Sequence, residues 1–283
     1  MKVKELPLSL LTQKRLQRFN PKQSNSNKSK IPVVVSLASI ASRLHIVHIT
    51  IKSILKQSVL PEHLVLWLGE ELQNQLPKEL SELAGDLFSI RFTDYGSSHR
   101  KLVEPLLCFP DFPIVTCDDD MMYRENWLEN LYHEHLEHPK AIIANQARNI
   151  AYDSDGNLLP YHQWTANYQN PKIKNTALPI GAGGTLYPPK VLDGQVTHQD
   201  LFMQLAPKAD DLWFKAMGLL KGTESKKSSR ITKEPIPIFG SQKESLKKTN
   251  IDEDKNTSQW KALDAHFGLF QLMQIHGTDS GNQ

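Results

Sequence analysis

Apolar residues fall along this chain in short blocks separated by segments of helical spacing. Residues 31–37, IPVVVSL, form a β-branched run after a Ser-, Asn- and Lys-rich stretch, which predicts a buried strand. Residues 44–57 then carry apolar positions at helical intervals. HLVLWL at 63–68 predicts a second strand, and LPKELSELAG at 76–85 a helix stopped by Gly85. FSIRFTDYG at 88–96 reads as a third strand with its exit loop, and HRKLVEPLLCF at 99–109 as a short helix broken by Pro110. FPIVTC at 112–117 is a fourth strand, RENWLENLYHEHLEH at 124–138 an amphipathic helix, and AIIAN at 141–145 another strand.

This alternation predicts an α/β fold: a mainly parallel central sheet flanked by helices, in a single domain. Ligands of open α/β sheets collect beyond the carboxyl ends of the strands. Ser36, Asp94 and the run Asp118, Asp119, Asp120 all fall at such ends. Residues 150–200 are rich in Tyr, Trp, Asn, Pro and Gly and predict loops and short strands forming a second wall of the site. ADDLWFKAMGLLKG, from residue 209, returns to helix. Beyond Lys226 the chain is polar, with one strand expected at IPIFG, residues 236–240.

Composition fits a folded protein: of 283 residues, 39% are hydrophobic and 23% charged. The net charge of +2 argues against nucleic acid as a partner. The charge is uneven, however. Residues 1–30 carry Lys2, Lys4, Lys14, Arg15, Arg18, Lys22, Lys28 and Lys30 against Glu5. This stretch reads as a flexible, solvated arm, or as one that makes peripheral contact with an anionic membrane surface or, locally, with nucleic acid. The domain is expected over 31–276, with a frayed tail at 277–283. Cys108 and Cys117 make neither a disulfide framework nor a zinc site, and suit reduced thiols in the cytoplasm. LPLSLL is too short for a signal-peptide core, and no run approaches the roughly 18 apolar residues of a transmembrane segment.

Three adjacent carboxylates at 118–120 repel one another and raise each other's pKa unless a cation neutralises them. Oxygen-only ligands suit Mg²⁺ or Mn²⁺, and alternate residues of an extended segment put Asp118 and Asp120 on one side. An acidic helix start is the other reading. Asp210 and Asp211, in PKADDLWF, either cap a helix or place a general base beside the same pocket. DYGSSHRK at 94–101 puts His99, Arg100 and Lys101 at a helix start, where a diphosphate or an ordinary turn would fit. GAGGTLYPP at 181–189 lacks the ending of a P-loop; its glycines, Gly183 and Gly184 among them, suit a loop that closes on a ligand. Trp164 is either a sugar-stacking or a core residue, and His133, His135 and His138 share a surface helix.

In this order these features resemble the bacterial family 2-like glycosyltransferases of the GT-A fold, over residues 32–240. DDDMMY is similar to that fold's metal-binding D-x-D motif, and PKADDLWF to its acidic motif before a helix. The resemblance implies a nucleotide-sugar donor and an acceptor that is a saccharide or a lipid-linked saccharide in surface polysaccharide synthesis. Asp118 and Asp120 would hold Mg²⁺ or Mn²⁺, and Asp119 would reach the ribose. Ser36, Arg43, Asp94 and Lys101 would line the nucleotide and phosphates. Asp211 would be the base, supported by Asp210. The chain departs from the pattern where many members carry Asp-Gly-Ser: here LWLGEEL leaves Glu70 or Glu71 as the substitute. His266 matches a C-terminal metal ligand by order alone. A sugar-1-phosphate nucleotidyltransferase shares the topology, but SLASIASRLH lacks its Gly-rich basic loop. A non-catalytic sugar- or nucleotide-binding relative is the third reading.

Overall fold

The computed structural model describes residues 6–21, 28–230, 232–241 and 254–274. A helix α1 (Leu6–Arg18) precedes strand β1 (Lys30–Ala38), helix α2 (Leu44–Leu55) and strand β2 (Leu60–Gly69). There follow α3 (Lys78–Ser81), β3 (Phe88–Thr93), α4 (Arg100–Cys108), β4 (Ile114–Thr116), β5 (Met121–Met122), α5 (Trp127–Glu137) and β6 (Ile142–Ala144). The remainder comprises β7 (Ala147–Asn149), β8 (Ala177–Pro179), β9 (Thr185–Tyr187), α6 (Gln199–Leu205), α7 (Asp210–Leu220), β10 (Ser225–Lys227), β11 (Ile236–Pro237), α8 (Lys255–Phe267) and α9 (Leu269–Met273).

Seven strands form the central sheet in the order β10-β6-β9-β4-β1-β2-β3. β1 pairs in parallel with both β2 and β4, β2 with β3, and β6 with β10. β9 alone among the described strands of this sheet runs antiparallel, wedged between β4 and β6. The mainly parallel, helix-flanked sheet expected from the sequence is therefore present. Successive strands move from β1 outward to β3, and then the chain returns to place β4 on the other side of β1. That reversal opens a crevice at the carboxyl ends of β1 and β4.

The strands alternate their side chains between two cores, as a period of two requires. Val33, Val35 and Leu37 of β1 and Leu64, Leu66 and Leu68 of β2 face one layer, covered by α2 and α5. Val34, Val65 and Trp67 face the other, covered by α4, α7 and α8. Burial on both faces is why these strands read as unbroken apolar runs.

Three elements differ from expectation. Residues 6–18, expected in a flexible arm, are helical: Leu16 packs with Ile46, Ile49, Met122, Ile236 and Ile238, and Ser9 Oγ donates to Pro237 O at 2.7 Å. One leucine and one serine facing inward leave too weak a period to read in advance. Residues 1–5 of that arm and the tail at 277–283 lie outside the described residues. The helix expected over 76–85 is a single turn, since it buries Leu80 alone among its four residues. Helix α8 was not foreseen, because its surface carries Lys, Gln and His and its buried face only Asn256, Thr257, Trp260 and Leu263.

Trp260 anchors that last helix, with its ring fully buried and Nε1 donating to Tyr152 Oη at 2.9 Å. Trp260→Ala should cost about 3–5 kcal/mol in urea denaturation, from the cavity and the lost hydrogen bond together. Lys261→Ala, on the exposed face of the same helix, should stay within about 0.5 kcal/mol.

Candidate functional site

The crevice at the strand ends is a cavity of about 650 Å³. Its lining brings together Asp118, Asp119 and Asp120 from the end of β4, Asp210 and Asp211 from the start of α7, and Arg43, Arg100 and Lys101. The strand delivers the first three acids to the sheet edge. The helix start suits the other two, whose negative charge meets the positive end of the α7 dipole.

Two cations organise the acids. Arg43, on the turn after β1, donates from Nη1 to Asp119 Oδ1 at 2.6 Å and lies 3.3 Å from Asp120 Oδ2. Ser39 Oγ donates to Asp119 Oδ2 at 2.5 Å, and Thr50 Oγ1 to the Asp119 carbonyl at 2.8 Å. Lys101 Nζ lies 3.0 Å from Asp118 Oδ1 and 2.8 Å from Asp210 Oδ2, so one ammonium joins the strand acids to the helix acids. Ser98 Oγ donates to Asp210 Oδ1 at 2.9 Å. Asp211 Oδ2 accepts the Gly181 amide at 3.0 Å. A methyl at Gly181 would come within 2.9 Å of both Lys101 Nζ and Asp211 Oδ1 and 3.4 Å of Asp118 Oδ1, so the absence of a side chain there lets the three groups converge.

The charges are unequal in consequence. Burial pushes the Asp120 carboxyl up to about 7, against the pull of Arg43, with Asp118 and Asp119 adding to the rise. Burial and then Asp210 push Asp211 up to about 7. Burial works against the Asp210 carboxylate too, but Lys101 outweighs it and holds that group below its usual range. The Lys101 ammonium is itself buried, yet Asp118 and Asp210 keep it well above an ordinary lysine. Adjacent carboxylates driven apart in this way divide into one that stays charged and one poised to exchange a proton near neutrality.

Other expected residues lie elsewhere. Ser36 is buried in the sheet, where its Oγ accepts Trp67 Nε1 at 3.0 Å; Ser39, three residues on, takes the place at the crevice. Strand β1 runs on to Ala38, so its end was set too early. Asp94 is exposed and Glu70 and Glu71 sit on a turn after β2, all outside the lining. Gly183 and Gly184 support the loop rather than line the cavity. The Gly183 carbonyl accepts Trp127 Nε1 at 2.8 Å, and Gly184 holds φ of 90° against the Trp127 ring. Trp164 is a core residue that donates to Leu159 O. His266 is exposed on α8, against Phe267. His99 is buried and stacked on Phe202, and burial lowers its pKa to about 4.

Sequence reasoning missed Ser39, Ser98, Tyr161 and Asn256 as lining residues. Ser98 lay within the DYGSSHRK stretch and was open to recognition; Asn256 lies in a polar helix that gave no signal. Tyr123 was also missed. Its Oη accepts the Asp118 amide and donates to the Ala182 carbonyl, fixing the acidic turn to the glycine loop.

The donor set of Asp118 and Asp120 is all oxygen, which is the chemistry of Mg²⁺ or Mn²⁺, with Lys101 now meeting the first carboxylate and Arg43 the second. Among the described residues, three candidate ligand atoms within 4.8 Å of one another occur only at Glu134, Glu137 and His138, far along α5. There Arg230 already supplies a cation to Glu137 and, at 3.9 Å, to Glu134. A metal in the crevice would thus take two carboxylates and complete its shell from substrate and water.

No family model and no curated protein matches the chain. Among solved structures, S. aureus TarS 1–349 aligns with a TM-score of 0.45 at 13% identity, covering 72% of this chain and 59% of that one. The 4-diphosphocytidyl-2C-methyl-D-erythritol synthase of Anaerococcus prevotii aligns with a TM-score of 0.41 at 10% identity, covering 82% and 96%. Neither likeness is close enough to assign a function.

The raised carboxyls make a stability prediction. In the unfolded chain an Asp titrates near 3.9. A carboxyl at about 7 in the folded state binds its proton more tightly there, so its contribution is full below about pH 4 and is lost as pH rises through about 7. Asp211→Asn should therefore melt above the unaltered protein at pH 8, with the gap closing by pH 5. A thermal melt at the two pH values measures it; an equal gap at both would remove the burial argument.

Proposed function

We propose that this chain is an inverting glycosyltransferase that uses a nucleotide-sugar donor and Mg²⁺ or Mn²⁺, with a saccharide or lipid-linked saccharide as acceptor. The observation that carries this reading is the convergence of Asp118, Lys101 and Asp211 around Gly181, in a crevice at the ends of β1 and β4. It supports the reading because cations suited to phosphate and a protonatable carboxylate line one cavity.

The roles follow from the environments. Lys101 and Arg43 supply positive charge on the donor side, and Asp118 and Asp120 would hold the metal. A bound divalent ion would neutralise the charge that builds on the departing diphosphate. Asp211 takes the proton of an acceptor hydroxyl as that oxygen attacks the anomeric carbon. The bond from that carbon to the diphosphate breaks, its electron pair leaves on the phosphate oxygen, and one displacement inverts the configuration. Asp210 stays ionised on Lys101, and burial together with the Asp210 charge keeps Asp211 high enough to accept a proton at neutral pH. Arg100 braces the cavity wall, donating to the carbonyls of Ser39 and Tyr95. The whole of residues 31–276 is read as one catalytic domain.

The test is steady-state kinetics with a panel of nucleotide sugars. Asp211→Asn should lower kcat by about 10² or more while leaving donor KM within a few-fold. In the unaltered enzyme, kcat should fall as pH drops through about 7, where the base becomes protonated. Near-normal kcat in Asp211→Asn would move the base to another residue. Products showing nucleotidyl rather than glycosyl transfer would replace the reading altogether.

A further inference from the structure

Helix α1 carries no acidic residue and divides into two halves. Ser9 and Leu16 face the protein. On the outward side, Leu8, Leu10 and Leu11 are 45%, 45% and 58% exposed, all within the first two turns. The next turns expose Lys14, Arg15 and Arg18. Phe239, 49% exposed, lies two residues past the Pro237 carbonyl that accepts Ser9 Oγ. A helix whose outward surface is leucine at one end and lysine and arginine at the other has little to gain from water alone. Its chemistry matches a lipid interface: apolar side chains at the acyl boundary, cations among anionic headgroups.

We propose that α1 and Phe239 form a face that docks this protein on an anionic lipid bilayer. The charge pattern selects that occupant over a neutral apolar partner, because three cations flank the leucines with no acid between them. The face is also wired to the crevice. Ser9 fixes α1 to β11, β11 pairs with β5 at Pro237 and Met121, and the Ile238 amide donates to the Asp120 carbonyl at 2.9 Å. The docking face and the segment that carries Asp120 are thus joined by hydrogen bonds. The inference stands apart from the glycosyltransferase reading, since it concerns a surface outside the cavity.

Co-sedimentation of the full chain with vesicles of phosphatidylcholine, with and without phosphatidylglycerol, tests it. Binding is expected to the anionic vesicles, to weaken with salt and to be small on phosphatidylcholine alone. Replacing Lys14, Arg15 and Arg18 together by Gln should weaken it on the order of a hundredfold. Leu10→Ser with Leu11→Ser should abolish it, with an unchanged thermal melt showing that the fold persists. No sedimentation of the unaltered protein at low salt would overturn the proposal. So would a leucine variant that binds vesicles normally; if that variant also turned a dimer into a monomer, the face would be a contact between copies. Donor turnover on a soluble acceptor is a separate readout, so failure here leaves the catalytic reading standing.

Discussion

The Lys101 ammonium is the joint on which the crevice depends. Its side chain is 7% exposed, and it lies between Asp118, at the end of a strand, and Asp210, at the start of a helix more than ninety residues later. A buried ammonium is tolerated only with partners, and two carboxylates supply them. Removing one partner of such a buried pair costs on the order of 3–5 kcal/mol, because the other charge is left without compensation. The same joint sets the two neighbouring acids apart. Asp210 is held ionised, while burial and the Asp210 charge push Asp211 toward neutrality against the pull of Lys101 and the Gly181 amide. A structural ion pair and a titratable carboxylate are thus two results of one arrangement.

The fold explains why this joint is possible. The strand order reverses between β1 and β4, so their ends open side by side. Antiparallel β9 then passes along β4 and brings the glycine loop 181–184 to the acids. Trp127 packs under Gly184 and bonds the Gly183 carbonyl, while Tyr123 ties Asp118 to Ala182. Gly183 and Gly184 pack against Gln146 and Trp127, and Gly181 permits the close approach of the charged groups. This is a division of labour between neighbouring residues: Gly181 makes room for charges, and Gly184 makes room for a ring.

Most of the parallel half of the sheet was legible in the sequence because β1, β2 and β4 are buried on both faces and read as apolar runs. The acids were legible by position, 118–120 closing an apolar strand and 210–211 opening an apolar helix. What was hidden depended on tertiary contacts. Ser39 replaces Ser36 because β1 extends to Ala38, and nothing in SLASI marks which serine leaves the sheet. The antiparallel run of β9 leaves no mark in TLY, whose three residues are all buried. Helix α8 buries one face of a mostly polar segment, so neither Trp260 nor Asn256 stood out. Helix α1 reads in the sequence as a flexible or membrane-contacting arm because lysine and arginine dominate its charge and only Ser9 and Leu16 face inward.

The central claim is that buried acids at the strand end bind a nucleoside diphosphate through a divalent cation. Isothermal titration of UDP, GDP and CDP into the full chain, with and without Mn²⁺, tests it most directly. One nucleoside diphosphate should bind in the presence of Mn²⁺, weaken by on the order of tenfold or more without it, and lose that dependence in Asp120→Asn. Tight binding that is indifferent to the metal, or unchanged Mn²⁺ dependence in Asp120→Asn, would contradict the account.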